Sequence, residues 1–342
     1  MTPTPAHKHS LPAAIGIAAL AALVLAALAM LSLSVGYVDM PLARLLRGTW
    51  AGDVIATRIL LDLRIPRTLL CMAVGAALGV SGAALQGLLR NPLAEPGLLG
   101  VSSGASLGAV LALYTGVAGA FALALPLAGM AGTAATVGFV FFLSGRNAGT
   151  TVLILAGVAV SALAGALIAL VMNWTRNVYA LQEIVFWLMG SLADRSLREV
   201  ALATPFIVAG IGLLMGCRNG LLALSLGEET AHSLGVHVPS LRMLVLVGTA
   251  ASVGAAVSVA GSIGFIGLVA PHLMRPVARG NPARLLPLAG WAGAVLLLLA
   301  DLGVRWLYNG GQELRLGVLT ALVGVPFFLL LIVRLHREGA TP

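Results

Sequence analysis

RIPRTLLCMAVGAALGVSGAALQGLLRNPLAEPGLLGVSSGASLG, residues 64–108, is the stretch from which the rest of the chain can be read. Arg64 and Arg67 precede an apolar run over 68–89, and Arg90 ends it. At about 1.5 Å per residue, this run is long enough to cross a hydrocarbon layer of about 30 Å. Its many glycines and alanines keep no neighbour at a distance, which suits tight helix packing inside a membrane. Pro92 and Pro96 then prevent a continuous helix, since neither has an N–H and each crowds the preceding turn. A second apolar run starts at 97.

The same alternation continues in both directions. Further apolar runs lie at about 11–35, 119–143, 151–173, 199–217, 241–262, 263–278, 286–304 and 316–333, making ten candidate spans in one domain over residues 1–342. Ten spans of about 20 residues fit this length and leave room for connections. The composition agrees: 59% of residues are apolar and 9% charged, against roughly 45–50% and 25% in soluble domains. Mean hydropathy is +1.03. A soluble globular domain and a disordered chain are excluded. The formal charge of +8 comes from 20 basic and 12 acidic residues, scattered singly, so there is no basic stripe for a nucleic-acid backbone to follow. Cys71 and Cys217 both sit in apolar runs, which argues against a disulfide scaffold.

Residues 1–10 are polar, and the run after them is long enough to be an uncleaved first span; a cleavable signal peptide is the competing reading. The segment 179–193, YALQEIVFWLMGSLA, is apolar but too short to cross and reads as a half-helix at one surface. With a cytoplasmic N-terminus, ten of the 20 basic residues fall on each side, so charge bias does not orient the chain. Residues 74–82, VGAALGVSG, and 253–261, VGAAVSVAG, share six of nine positions, and Pro92 matches Pro271 at the same offset. By the span count the two copies run in opposite directions, as in transporters built from inverted repeats.

Ion-coupled carriers place ionisable groups in mid-membrane, whereas here Asp301 and Glu183 lie near span ends. His272 is a lone histidine in a span and reads as structural. A nucleotide-binding loop needs Gly-Lys-Ser/Thr, and the only lysine is Lys8; any ATP-driven process therefore needs another subunit. A place for one is 224–239, LSLGEETAHSLGVHVP. Ser225 and Glu228 have capping-box spacing for a short surface helix that Gly235 can end. Leu226, Thr230 and Leu234 would line one side, with Glu229, His232 and Ser233 exposed. Taken alone, the segment reads rather as an ordinary solvated connection.

Four stretches carry a resemblance: NPLAEPGLLGVSSGA at 91–105, GSIGFIGLVAPHLMR at 261–275, LGEETAHSLGV at 226–236 and LLLADLGVR at 297–305. Together they resemble the membrane subunits of type II ABC importers, the iron-siderophore, haem and vitamin B12 permease family, over nearly the whole chain. The resemblance implies an all-α polytopic membrane protein of ten transmembrane helices with an inverted repeat, in a bacterial inner membrane with both termini cytoplasmic. It implies a second copy of the chain, two cytoplasmic ATPase subunits that bind ATP and Mg, and one periplasmic substrate-binding protein. The chain itself would be no enzyme and hold no cofactor or metal.

Residue by residue, Arg64, Arg67 and Arg305 match arginines that receive acidic residues of the binding protein, a task suited to a permanently charged, bidentate guanidinium. Asn91 and Leu93 fall in the connection that helps close the cytoplasmic exit, and Thr150 and Thr151, after Gly149, match the second constriction. Gly227, Glu228, Glu229, His232, Leu234 and Gly235 match the ATPase-coupling helices. For cargo, Trp174, Arg176 and Tyr179 at an outer mouth suit a flat apolar ring with carboxylates, which describes haem; ferric siderophore and cobalamin are the alternatives within the class. An ion-coupled secondary transporter is the reading from another class, and a structural scaffold a third.

Overall fold

The computed structural model describes residues 11–38, 40–145, 149–308, 310 and 313–339. Lys8, its flanking histidines and Arg146 lie outside the described residues, and the side chains of Arg334 and Arg337 are likewise not described. Every regular element described is helical. In chain order these are α1 (Leu11–Ser34), α2 (Leu42–Trp50), α3 (Val54–Arg58), α4 (Ile65–Leu89), α5 (Val101–Tyr114), α6 (Ala124–Ser144), α7 (Thr150–Trp174), α8 (Val178–Leu188), α9 (Leu197–Gly216), α10 (Arg218–Leu224), α11 (Glu228–Ser233), α12 (Val238–Ala260), α13 (Ile266–Ala278), α14 (Pro282–Trp306) and α15 (Leu316–Gly339).

Each of the ten apolar runs overlaps one of these helices. Six helical segments among the described residues are long and apolar enough to cross a membrane: Val54–Leu89, α6, α7, α9, α12 and α14. The first is α3 joined to α4 through a π-helical turn, Ile59–Arg64. Its 36 residues would measure about 54 Å, well beyond the hydrocarbon thickness, and its first residues, Val54 and Ile55, are exposed. There α2 folds back on α3, burying Leu45 against Ala56 and Ile59.

Two runs are less regular than the sequence suggests. The run at 263–278 begins with extended chain, because Gly261 and Phe265 both adopt left-handed φ, of 71° and 68°; only 13 residues then form α13. The run at 97–118 yields a 14-residue α5, preceded by a 3₁₀ turn at Pro96–Leu99. The apolar segment at 179–193 becomes α8, 11 residues long, and Ser191 N–H then donates to the Ala260 carbonyl at 2.8 Å.

Glycine sets the helix spacing. On α4, Gly75 lies against the backbone of Gly293, Gly79 against the carbonyl of Ala289 and Gly82 against that of Gly267, so α14 and α13 approach with no side chain between backbones. Gly104 and Gly108 of α5 meet Gly132 and Ala128 of α6 in the same way, and Gly210 of α9 meets Gly248 of α12. In the most apolar window of Val54–Leu89, 78% of residues are buried, and in that of α12, 72%; for α7 the share is 22%. Thus α4 and α12 form the centre of the bundle and α7 keeps a broad outer flank.

The two copies of the internal repeat lie on these central helices. Ser81 Oγ of α4 and Ser252 Oγ of α12 are 3.0 Å apart at the crossing. The C-terminal end of α4 and the N-terminal end of α12 sit together, since Arg90 and Arg242 both reach Glu228. The copies therefore run antiparallel, as an inverted repeat requires. The proline match does not extend to structure: Pro92 is in a turn, whereas Pro271 is inside α13.

Candidate functional site

At the end of the bundle where α1 and α14 stop, Arg64, Arg67 and Arg305 are all buried, with 4%, 7% and 6% exposure. α1 leaves its last carbonyl groups without helical partners, and two arginines fill that need, as cations do at a helix C-terminus. Arg64 donates to the carbonyls of Leu33, Ser34 and Val38 at 2.8, 3.1 and 2.9 Å. Arg305 donates to those of Ser32 and Val35 at 2.7 and 2.8 Å, and it also pairs with Asp301 one turn earlier on α14.

Arg67 completes the cluster from α4. Its Nε donates to Asp301 Oδ1 at 2.8 Å, its Nη2 pairs with Glu313, and its Nη1 donates to the Tyr37 hydroxyl at 3.3 Å. Asp301 is fully buried and joins α4 to α14. Burial, reinforced by Glu313, raises the Tyr37 hydroxyl above its ordinary pKa, so the phenol stays protonated. A cavity of about 320 Å³ opens beside these groups, lined by Tyr37, Arg64, Arg67, Arg305, Tyr308 and Glu313. The sequence reading had Asp301 only as an acid near a span end; Tyr37 and Glu313 carried no signal, because their partner Arg67 is 30 and 246 residues away. Arg44, Arg47 and Arg58 on α2 and α3 are exposed.

At the opposite end lies the loop after α4. Arg90 stops α4 with a left-handed φ of 48°. Asn91 N–H donates to Gln86 O at 3.2 Å, and Asn91 Oδ1 accepts from Leu93 N–H at 2.9 Å. This Asx turn fixes the Asn-Pro-Leu segment in one non-helical shape. Glu95 follows; burial raises its carboxyl above the ordinary value, partly offset by a hydrogen bond from the Phe265 backbone. Thr150 and Thr151 open α7 after Gly149 as N-cap; Thr150 is half-buried and Thr151 exposed.

The segment 224–239 is a surface helix, but its start differs from the expected capping box. Ser225 Oγ turns back to Leu222 O at 2.6 Å, and Gly227, with φ of 116°, is the N-cap of α11. Glu228 is withdrawn from capping by Arg242, at 2.6 Å, and by Arg90, at 3.7 Å. The same Ser-x-x-Glu spacing at Ser196–Glu199 does form the reciprocal box and starts α9, with Ser196 N–H donating to Glu199 at 2.7 Å. Gly235 ends α11 as expected, with φ of 82°. Only Ala231 of α11 is buried; Leu226 and Leu234 are exposed, by 65% and 62%, as are Glu229 and His232.

Between α7 and α8 the chain turns through Trp174, Thr175 and Arg176. Asn177 caps α8 by accepting from Tyr179 and Ala180 N–H. A cleft of about 960 Å³ opens here, lined by Asn173, Trp174, Arg176 and Asn177 together with Tyr114 and Thr115 from the end of α5. Tyr179 is not in its lining and is 83% exposed. The structure thus brings Trp174 and Arg176 together, leaves Tyr179 outside, and supplies Tyr114 in its place, an aromatic residue that sequence distance had hidden.

A bundle of antiparallel apolar helices built on an inverted repeat, with a fixed proline loop at one end and a short surface helix beside it, has the architecture of a membrane transport protein. The profile of the FecCD transport family matches residues 23–334, and the chain belongs to that family. It is 41% identical over 295 residues to the hemin transport system permease protein HmuU of Yersinia pestis, covering 82% of this chain and 84% of that one. It is 39% identical over 325 residues to the uncharacterized ABC transporter permease protein YvrB of Bacillus subtilis, covering 90% and 91%. Against the Fe(3+) dicitrate transport system permease protein FecD of Escherichia coli the identity is 38% over 315 residues, covering 92% and 97%. A solved structure of an ABC transporter of the proposed metal-chelate type, in an inward-facing conformation, superposes with a TM-score of 0.81 at 33% identity, covering 93% of this chain and 99% of that one. The chain is the permease component of an ABC importer, a transport subunit and not an enzyme; ATP is hydrolysed on a separate subunit.

Proposed function

We propose that two copies of this chain form the membrane channel of a bacterial inner-membrane haem importer, each crossing the bilayer ten times with both termini cytoplasmic. The cleft that joins Trp174, Arg176 and Tyr114 carries the cargo reading. An aromatic wall next to an exposed guanidinium offers a stacking surface for a flat ring and a partner for its carboxylates. Its volume lies at the upper end of the range for small-molecule sites. The similarity to a hemin permease supports the same choice.

Two ATPase subunits, with ATP and Mg, sit against α11 in this reading, where exposed Leu226 and Leu234 flank Glu229 and His232. ATP binding closes the ATPase pair and shifts α11; the helices rock, and the exit at Asn91–Leu93 and at Thr150–Thr151 opens or shuts. On the other side one periplasmic binding protein delivers cargo. Exposed Arg44, Arg47 and Arg58 attract its acidic surface, and electrostatic attraction of this kind raises the encounter rate. Its carboxylates then take over positions on Arg64, Arg67 and Arg305 that Glu313 and the α1 carbonyls hold in the single chain.

The experiment is ATPase stimulation in vesicles holding the permease with its ATPase subunits. The binding protein is added loaded in turn with haem, a ferric siderophore or cobalamin. Stimulation by the haem form alone, lost on Arg176→Ala, is expected. Stimulation by either other form with none by haem overturns the cargo.

A further inference from the structure

We propose that Arg90, Glu228 and Arg242 form a charge relay that passes the movement of α11 both to α12 and to the exit loop. The sequence places Glu228 and Glu229 side by side in one short helix and cannot tell their roles apart. The structure does. Glu228, with 45% of its side chain exposed, pairs with Arg242 in the first turns of α12 at 2.6 Å and lies 3.7 Å from Arg90 at the end of α4. Glu229 is exposed as well, and among the described residues no ion pair holds it.

α11 has little else to hold it. It is six residues long and buries one side chain, Ala231, so apolar packing gives it a weak grip on the bundle. The Glu228 carboxylate, held by Arg242 and approached by Arg90, thus supplies a directional side-chain tie between α11 and the long helices. Its two ends lie on the helices that carry the copies of the inverted repeat: Arg242 near the start of α12 and Arg90 at the stop of α4. Arg90 also occupies a left-handed backbone conformation that few side chains adopt readily, and the next residue, Asn91, begins the Asx turn of the exit loop. Displacing α11 therefore pulls on the residue at which a rigid helix gives way to the gate. Coupling of this sort needs a contiguous physical link between two elements that each have discrete positions, and here the link is one residue long on either side of Glu228.

The inference rests on the reading of α11 as the ATPase-facing helix, and the test separates the two. Co-purification of the ATPase subunits is scored first, with Leu226→Glu and Leu234→Glu; if both variants retain those subunits fully, the ATPase-facing reading fails. The relay is scored in assembled complex by the rate at which a water-soluble maleimide labels Leu93→Cys, with and without ATP and vanadate. Both native cysteines are buried, which keeps the background low. Glu228→Gln should shrink the nucleotide-dependent change in labelling at least about fivefold, the low end of usual coupling strengths. Arg90→Gln and Arg242→Gln should each shrink it too, and neither should add to the effect of Glu228→Gln. Arg242→Lys should restore part of the change. A full nucleotide response in Glu228→Gln, or arginine effects that multiply with it in the double variants, overturns the relay.

Discussion

Replacing Gly79 by alanine tests whether the backbone contact between α4 and α14 is what sets the spacing of the bundle. A Cβ at Gly79 falls 2.0 Å from the Ala289 carbonyl oxygen and 2.8 Å from its carbon. Both are backbone atoms within a helix, so no side-chain rotation relieves the overlap. Ordinary contact begins near 3.4 Å, and the helices must part by about 1.4 Å to reach it. A gap of even 0.5–1 Å forfeits roughly a quarter to a half of the dispersion energy of each affected contact. The neighbouring approach between the same two helices, Gly75 on Gly293, would lose its contacts as well. Overpacking of this kind costs about 1–3 kcal/mol, and the upper end is expected because the obstacle is backbone. Gly165 of α7 and Gly212 of α9 have nothing within 4 Å of a built Cβ; alanine there should help the helix by about 0.5–1 kcal/mol. Thermal unfolding of the purified protein in detergent, followed by loss of soluble monodisperse material, should place Gly79→Ala below these two variants by about 2–4 kcal/mol. Equal stability of Gly79→Ala and Gly165→Ala would refute the claim that glycine contact holds α4 to α14.

Asp301→Asn leaves Arg67 and Arg305 buried without their shared counter-charge and should cost about 3–5 kcal/mol in the same melt, far more than Glu313→Gln at the edge of the cluster. Glu95→Gln should stabilise the protein at neutral pH. Burial keeps the native carboxyl protonated above its ordinary value of 4.5, so between 4.5 and the raised value the native state binds more protons than the unfolded state. Wild-type stability falls as pH rises through that window and is flat above it; the advantage of Glu95→Gln should fade on acidification below the ordinary value of 4.5 and hold steady above the raised value. Ser225→Ala should change stability by less than about 0.5 kcal/mol, because Ser225 caps nothing, whereas Ser196→Ala removes a working cap and should cost about 1 kcal/mol; circular-dichroism melts compare the two.

The two Ser-x-x-Glu sites show how far local reading reaches. Ser196–Glu199 and Ser225–Glu228 have the same spacing, yet only the first forms a box. Nothing near the second in sequence reveals that Arg90 and Arg242 claim its glutamate. The arginines behave alike: Asp301 and Arg305, four apart, are legible as neighbours on one helix, but Arg67 joins them from 234 residues away. In the cleft, Trp174 and Arg176 are sequence neighbours and stay together, whereas Tyr114 arrives from another helix and Tyr179 turns away.

Sequence alone determined that this chain lies in a membrane, where its helical runs fall, that α4 and α12 carry an inverted repeat, and that its motifs are those of an importer subunit. Those properties follow from hydropathy, from proline and glycine punctuation and from residues at fixed local spacing, all of which act within a few turns. Only the tertiary structure decided which charges are spent internally, that α11 is tied in through Glu228, and which aromatic residue faces Arg176. Those outcomes depend on which helices meet, and close contact is governed by backbone surfaces brought together across hundreds of residues, for which local spacing carries no signal.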